Sequence, residues 1–88
     1  MKQIIRKAIE ELNELLPNNK KILVADSSPL VSEDSNLESI DLVNLFVNLE
    51  ENLRKNNFNL SFDDIIKEAD KFDTIGSLEL FLNKKFKK

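Results

Sequence analysis

The segment Leu37-Glu38-Ser39-Ile40-Asp41-Leu42-Val43-Asn44-Leu45-Phe46-Val47-Asn48-Leu49-Glu50-Glu51-Asn52-Leu53 decides how the rest of the chain is read. On a helical wheel of about 100° per residue, Leu42, Leu45, Phe46, Leu49 and Leu53 share one stripe, wide enough to face a core. Ile40, Val43 and Val47 carry the apolar arc beyond what a single buried face needs. Asp41, Asn44, Asn48 and Glu51 hold the remaining polar face. A helix from Glu38 to Arg54 is expected. Its apolar shoulder has two readings: a helix buried on two sides, or an exposed patch rimmed by carboxylates on which a partner docks.

Upstream, Ile4, Ile5, Ala8, Ile9, Leu12, Leu15 and Leu16 follow the spacing of an amphipathic helix that Pro17 stops. A long connection over 17–37 follows, a length that in compact domains often has a function. Within it, Ile22-Leu23-Val24-Ala25 has no convincing strand partner and is read as loop side chains packing on the bundle. Downstream, Phe58-Asn59-Leu60-Ser61-Phe62 alternates like an extended segment. Ser61 with Asp64 resembles a capping box opening a short helix over Ile65, Ile66 and Ala69. Thr74 is positioned to cap a last helix with Ile75, Leu78, Phe81, Leu82 and Phe86 inward. The fold class is all-α: one domain over 1–88, a four-helix bundle of three longer helices and one short third helix, with a long first loop.

Composition removes many functions. The 88 residues include no His, Cys, Trp or Tyr. Disulfides, thiolate or imidazole metal sites, a cysteine nucleophile and a histidine base are therefore excluded. No apolar run spans a bilayer, and the N-terminus lacks the apolar core of a secretory signal, so a cytoplasmic protein is expected. The formal charge of −3 hides a segregation. Residues 1–21 and 54–88 are each net positive, whereas 22–53 contain seven carboxylates and no Lys or Arg. Such a block attracts basic partners and repels nucleic acid. The terminal Lys84-Lys85-Phe86-Lys87-Lys88 is read as complementing the carbonyl end of the last helix.

Ser39 lies at the start of the central helix, between Glu38 and Asp41. Capping is the routine role for serine there. A hydroxyl presented at that place is also suited to modification, because helix N-terminal amides favour an attached phosphate. A serine hydrolase built from Ser39 with Glu38 or Asp41 is disfavoured, because a carboxylate without a histidine is a poor base for it.

Leu37-Glu38-Ser39-Ile40-Asp41-Leu42-Val43 resembles the Asp-Ser-Leu attachment motif of acyl carrier proteins and related peptidyl carrier domains. Leu45, Leu49, Glu50-Glu51 and Leu53 resemble that family's second helix. Phe58 and Leu60 resemble its extended plug, Thr74-Ile75-Gly76-Ser77-Leu78 the opening of its last helix, and Pro29-Leu30 a pair found before the motif. Departures are Glu38 for Asp, Ile40 for Leu, Asn36 for a usual Gly, and Asn44 at a commonly acidic position. The resemblance implies a monomeric, stand-alone carrier and not an enzyme, with no catalytic residue and no metal. Ser39 would carry a 4′-phosphopantetheine arm from coenzyme A, placed there by a phosphopantetheinyl transferase. The arm would hold acyl or aminoacyl groups as thioesters, as in fatty acid or polyketide biosynthesis. Glu38, Ile40, Asp41, Val43, Val47, Glu50 and Glu51 would dock loading and transferring enzymes that bear basic patches. The alternative is an unmodified carrier-like helical module that binds a protein partner through the same shoulder.

Overall fold

A computed structural model describes residues 2–31 and 37–86. The loop residues Glu33, Asp34, Ser35 and Asn36 and the final lysines, Lys87 and Lys88, lie outside these. Four α-helices run in chain order: α1 (Lys2–Asn13), α2 (Ser39–Lys55), α3 (Phe62–Lys67) and α4 (Ile75–Lys85). Single 3₁₀ turns cover Asn18–Lys20 and Ala69–Lys71. The described residues form no β-sheet; Pro29 and Thr74 make one isolated antiparallel bridge.

One apolar cluster joins all four helices. Ile5, Ala8, Ile9 and Leu12 of α1 meet Leu45, Phe46, Leu49 and Leu53 of α2, with Ile65 of α3 and Ile75, Leu78 and Leu82 of α4. Leu30 from the long loop, Leu60 and Phe72 complete it. Phe72 bridges two neighbours edge-on, with its ring centroid 6.0 Å from Phe46 and 5.0 Å from Phe81. Offset edge contacts of this kind suit the aromatic quadrupole.

α1 ends earlier than its apolar pattern predicts. From Leu15 the backbone tightens, with Leu15 N–H donating to Leu12 O and Leu16 N–H to Asn13 O. Leu16 stays buried, whereas Leu15 turns out to solvent at 70% exposure. Pro17 has no N–H to offer Asn13 O and disfavours helical backbone at Leu16, and the Asn13 side chain at the helix end grips the backbone of Ile22 twice. Its Nδ2 donates to Ile22 O at 3.0 Å and its Oδ1 accepts from Ile22 N–H at 2.8 Å. Ile22 and Val24 then pack on the core and Leu23 points outward, so this stretch is loop and not strand.

The long loop is fastened at its far end by backbone bonds to the segment before α4. Leu30 N–H donates to Asp73 O, Val31 N–H to Phe72 O, Ile75 N–H to Ser28 O and Gly76 N–H to Asp26 O. Gly76 suits the last of these: a Cβ there would crowd the Asp26 carbonyl oxygen at 3.0 Å. Thr74 caps α4, its hydroxyl accepting from Ser77 N–H at 3.2 Å.

α2 closes with a left-handed residue, Asn57 at φ 66°. Phe58 N–H donates to Leu53 O and Asn57 N–H to Arg54 O, the paired bonds of a Schellman ending. The chain then runs extended to Ser61, with Leu60 buried and Phe58 packed on Phe86 at 4.8 Å between ring centroids. Ser61 caps α3 as expected, accepting from Asp64 N–H at 3.3 Å. The helix is shorter than expected: Ile66 is 40% exposed and Ala69 begins a separate turn.

Candidate functional site

The start of α2 is built by its acidic residues. Glu38 occupies the N-cap in extended conformation, at φ −88° and ψ 167°. Its backbone N–H donates to Asp41 Oδ2 at 3.0 Å, the reciprocal arm of a capping box. Asp41 also places a carboxylate in the first turn, where the helix dipole favours it. Capping is thus carried by Glu38 and Asp41, which corrects the expectation that Ser39 fills that role. Ser39 is the first helical residue, exposed, and its hydroxyl makes no hydrogen bond among the described residues.

The shoulder of α2 faces solvent. Ile40 is 59% exposed, and Val43 and Val47 are 37% exposed each, while Leu45, Phe46, Leu49 and Leu53 are almost wholly covered. The two-sided burial of α2 is therefore excluded. Ser39 stands at one end of an apolar strip one helix face wide.

The carboxylates expected to rim this strip divide into two groups. Glu51 is exposed and free of ion pairs among the described residues. Glu50 is turned inward. It accepts the Phe62 N–H at 2.6 Å and pairs with Arg54 at 3.6 Å, so it anchors the first turn of α3 to α2. Glu50, expected among the docking residues, is thus also a fixture of the fold. Asp41 is half-buried by its capping contact, and Asn44 is half-buried beside it. The free acidic rim is narrower than the sequence implied.

One cation reaches this end of α2. Lys20, in the 3₁₀ turn of the long loop, places its Nζ 3.5 Å from Glu38 Oε1. No periodicity could have found a contact between residues 18 positions apart. A second unexpected residue is Asn52, buried at 5% exposure on the flank of α2. Its Nδ2 donates to Glu11 Oε1 at 2.7 Å and to Asn48 O at 2.8 Å, tying α1 to α2. The available signal was Asn44, Asn48, Asn52 and Asn56 at four-residue spacing, a polar row that drifts toward the edge of the leucine stripe.

The described residues contain no cluster of three or more carboxylates that would hold a metal ion. None of their helices is long and apolar enough to cross a membrane. The chain matches no known protein family, no curated protein and no solved structure.

Proposed function

We propose that this chain is a carrier whose Ser39 is esterified by 4′-phosphopantetheine and whose α2 shoulder docks the enzymes that load and unload it. The observation that carries the reading is the Ser39 hydroxyl. It is exposed and has no hydrogen-bond partner among the described residues, because Glu38 and Asp41 have taken over the capping that would otherwise occupy it. The residues around it suit a covalent phosphodiester: an accessible nucleophilic oxygen on a rigid element, amides of the first turn behind it, and Lys20 beside the preceding residue.

In the modification, Ser39 Oγ forms the new O–P bond as the pyrophosphate bond of coenzyme A breaks. The hydroxyl proton passes to a base of the transferase, and adenosine bisphosphate leaves. The attached group supplies a terminal thiol for thioester formation, which a chain with no cysteine cannot supply itself. Ile40, Val43 and Val47 give a partner an apolar contact, and Glu51 with the outer edge of Glu38 offers charge to basic groups on it. We assign it to the cytoplasm as a monomer.

The test is the intact mass after incubation with coenzyme A and a broad-specificity phosphopantetheinyl transferase. Wild type is expected to gain one arm and Ser39→Ala none. An unchanged mass across several transferases overturns the reading. If partner binding survives Ser39→Ala but is lost in Val43→Asp, the chain is instead an unmodified docking module.

A further inference from the structure

We infer that Lys20 is the positioning residue for the arm: its ammonium leaves Glu38 and pairs with the phosphodiester once Ser39 is modified. This rests on the carrier reading and adds to it a residue that lies outside the acidic segment.

Lys20 is held near the site by structure on both sides. The 3₁₀ turn around it closes with Lys20 N–H on Pro17 O at 2.9 Å, and Asn13 fixes the chain two residues later at Ile22. Its side chain is 36% exposed against 67% for that of Glu38, so the lysine stem is covered while its charged end reaches the carboxylate. At 3.5 Å the pair is loose for a charge-assisted contact, which is nearer 2.8 Å when well formed.

Ser39 is the next residue in the chain, so a phosphodiester on its oxygen puts a second anion beside the same ammonium. Lys20 and Glu38 together are neutral, and the added group brings one negative charge. Two anions then compete for one cation. The phosphodiester bears two non-bridging oxygens and no structural duty, whereas the Glu38 carboxylate remains in the capping region of α2. Transfer of Lys20 to the phosphate neutralises the arm at its root and leaves Glu38 without its cation. Loading would thereby free the carboxylate of Glu38, a side chain already 67% exposed, from its ion pair with Lys20 at the end of the docking strip.

The experiment compares wild type, Lys20→Met and Lys20→Arg after transferase treatment. Intact mass is read first, then phosphorus NMR of the arm and lysine side-chain NMR of the protein. In loaded wild type the Lys20 ε-methylene signal is expected to move, with no comparable shift at the other lysines. The fraction of arm held against the surface, read from phosphorus relaxation, should fall roughly two- to fivefold in Lys20→Met, the effect of one exposed ion pair. Lys20→Arg should restore it, and added salt should abolish the difference. No mass gain in wild type overturns the carrier reading and this inference with it. Mass gain with identical phosphorus relaxation in wild type and Lys20→Met overturns only the inference. Failure of Lys20→Met alone to accept the arm assigns Lys20 to the transferase contact and likewise overturns it.

Discussion

Asn52 shows how a single polar side chain is tolerated inside the wall of the bundle. Its amide donates to the Glu11 carboxylate and to the Asn48 carbonyl, so burial leaves it paired. Asn52→Ala should lower the unfolding free energy by about 1–3 kcal/mol, since the half-buried Glu11 would lose its donor; urea denaturation reads the change. At the exposed end of the same helix the balance differs. Val43→Asp should alter stability by no more than about 0.5 kcal/mol, a surface effect, while abolishing partner binding. Coincident urea midpoints with lost binding would separate docking from folding. Ser39 itself was only half legible. Its position at the head of α2 follows from hydrophobic spacing, but the release of its hydroxyl from capping depends on Glu38 and Asp41, which the sequence offered equally well as rim charges.

The ends of the elements were harder to read than their cores. The apolar pattern of α1 continues through Leu16, yet the helix stops at Asn13, because Pro17 offers no N–H to Asn13 O and the Asn13 side chain turns to the Ile22 backbone. Spacing cannot see a hydrogen bond to a loop that has not yet been placed. The structural contact of Glu50 was hidden for the same reason, since its partner is a backbone amide on the following helix. Glu50→Ala should cost about 1.5–3 kcal/mol by removing a charge-assisted bond at the head of α3. Glu51→Ala should stay within about 0.5 kcal/mol. Comparing their urea midpoints tests the division of the two glutamates. The close of α2 is a further case. Asn57 holds φ 66°, where a β-branched side chain is strained, so Asn57→Val should destabilise by about 1–2 kcal/mol and Asn57→Gly should not.

At the scale of the molecule, four helices around one cluster were legible, because burial repeats along each helix and every repeat points to the same core. The loop was not. Its two anchorages are made by backbone atoms and by Asn13, and none of them leaves a periodic trace. Charge also acts at this scale. With no His or Cys, no side chain has an ordinary pKa between about 5 and 8. The unfolding free energy should be flat from about pH 6 to 9, measured by urea titration at fixed salt. On the alkaline side, Lys71 is raised above its usual 10.5, first by its hydrogen bond to Glu68 and then by the charge of that residue. A raised folded pKa stabilises the fold below 10.5, and the contribution is lost as pH climbs through the folded value.

The four backbone bonds between the long loop and the start of α4 carry a consequence for the order of folding. They join segments far apart in the chain, and such closures repay their entropy only after helices have formed locally. The amides of Leu30, Val31, Ile75 and Gly76 should therefore exchange with solvent through a partial opening that leaves α1 and α2 paired. That opening would let go of the loop from its α4 end while Asn13 still grips Ile22. The chain thus contains a seam along which it comes apart first, and Lys20 lies on the side of it that stays attached.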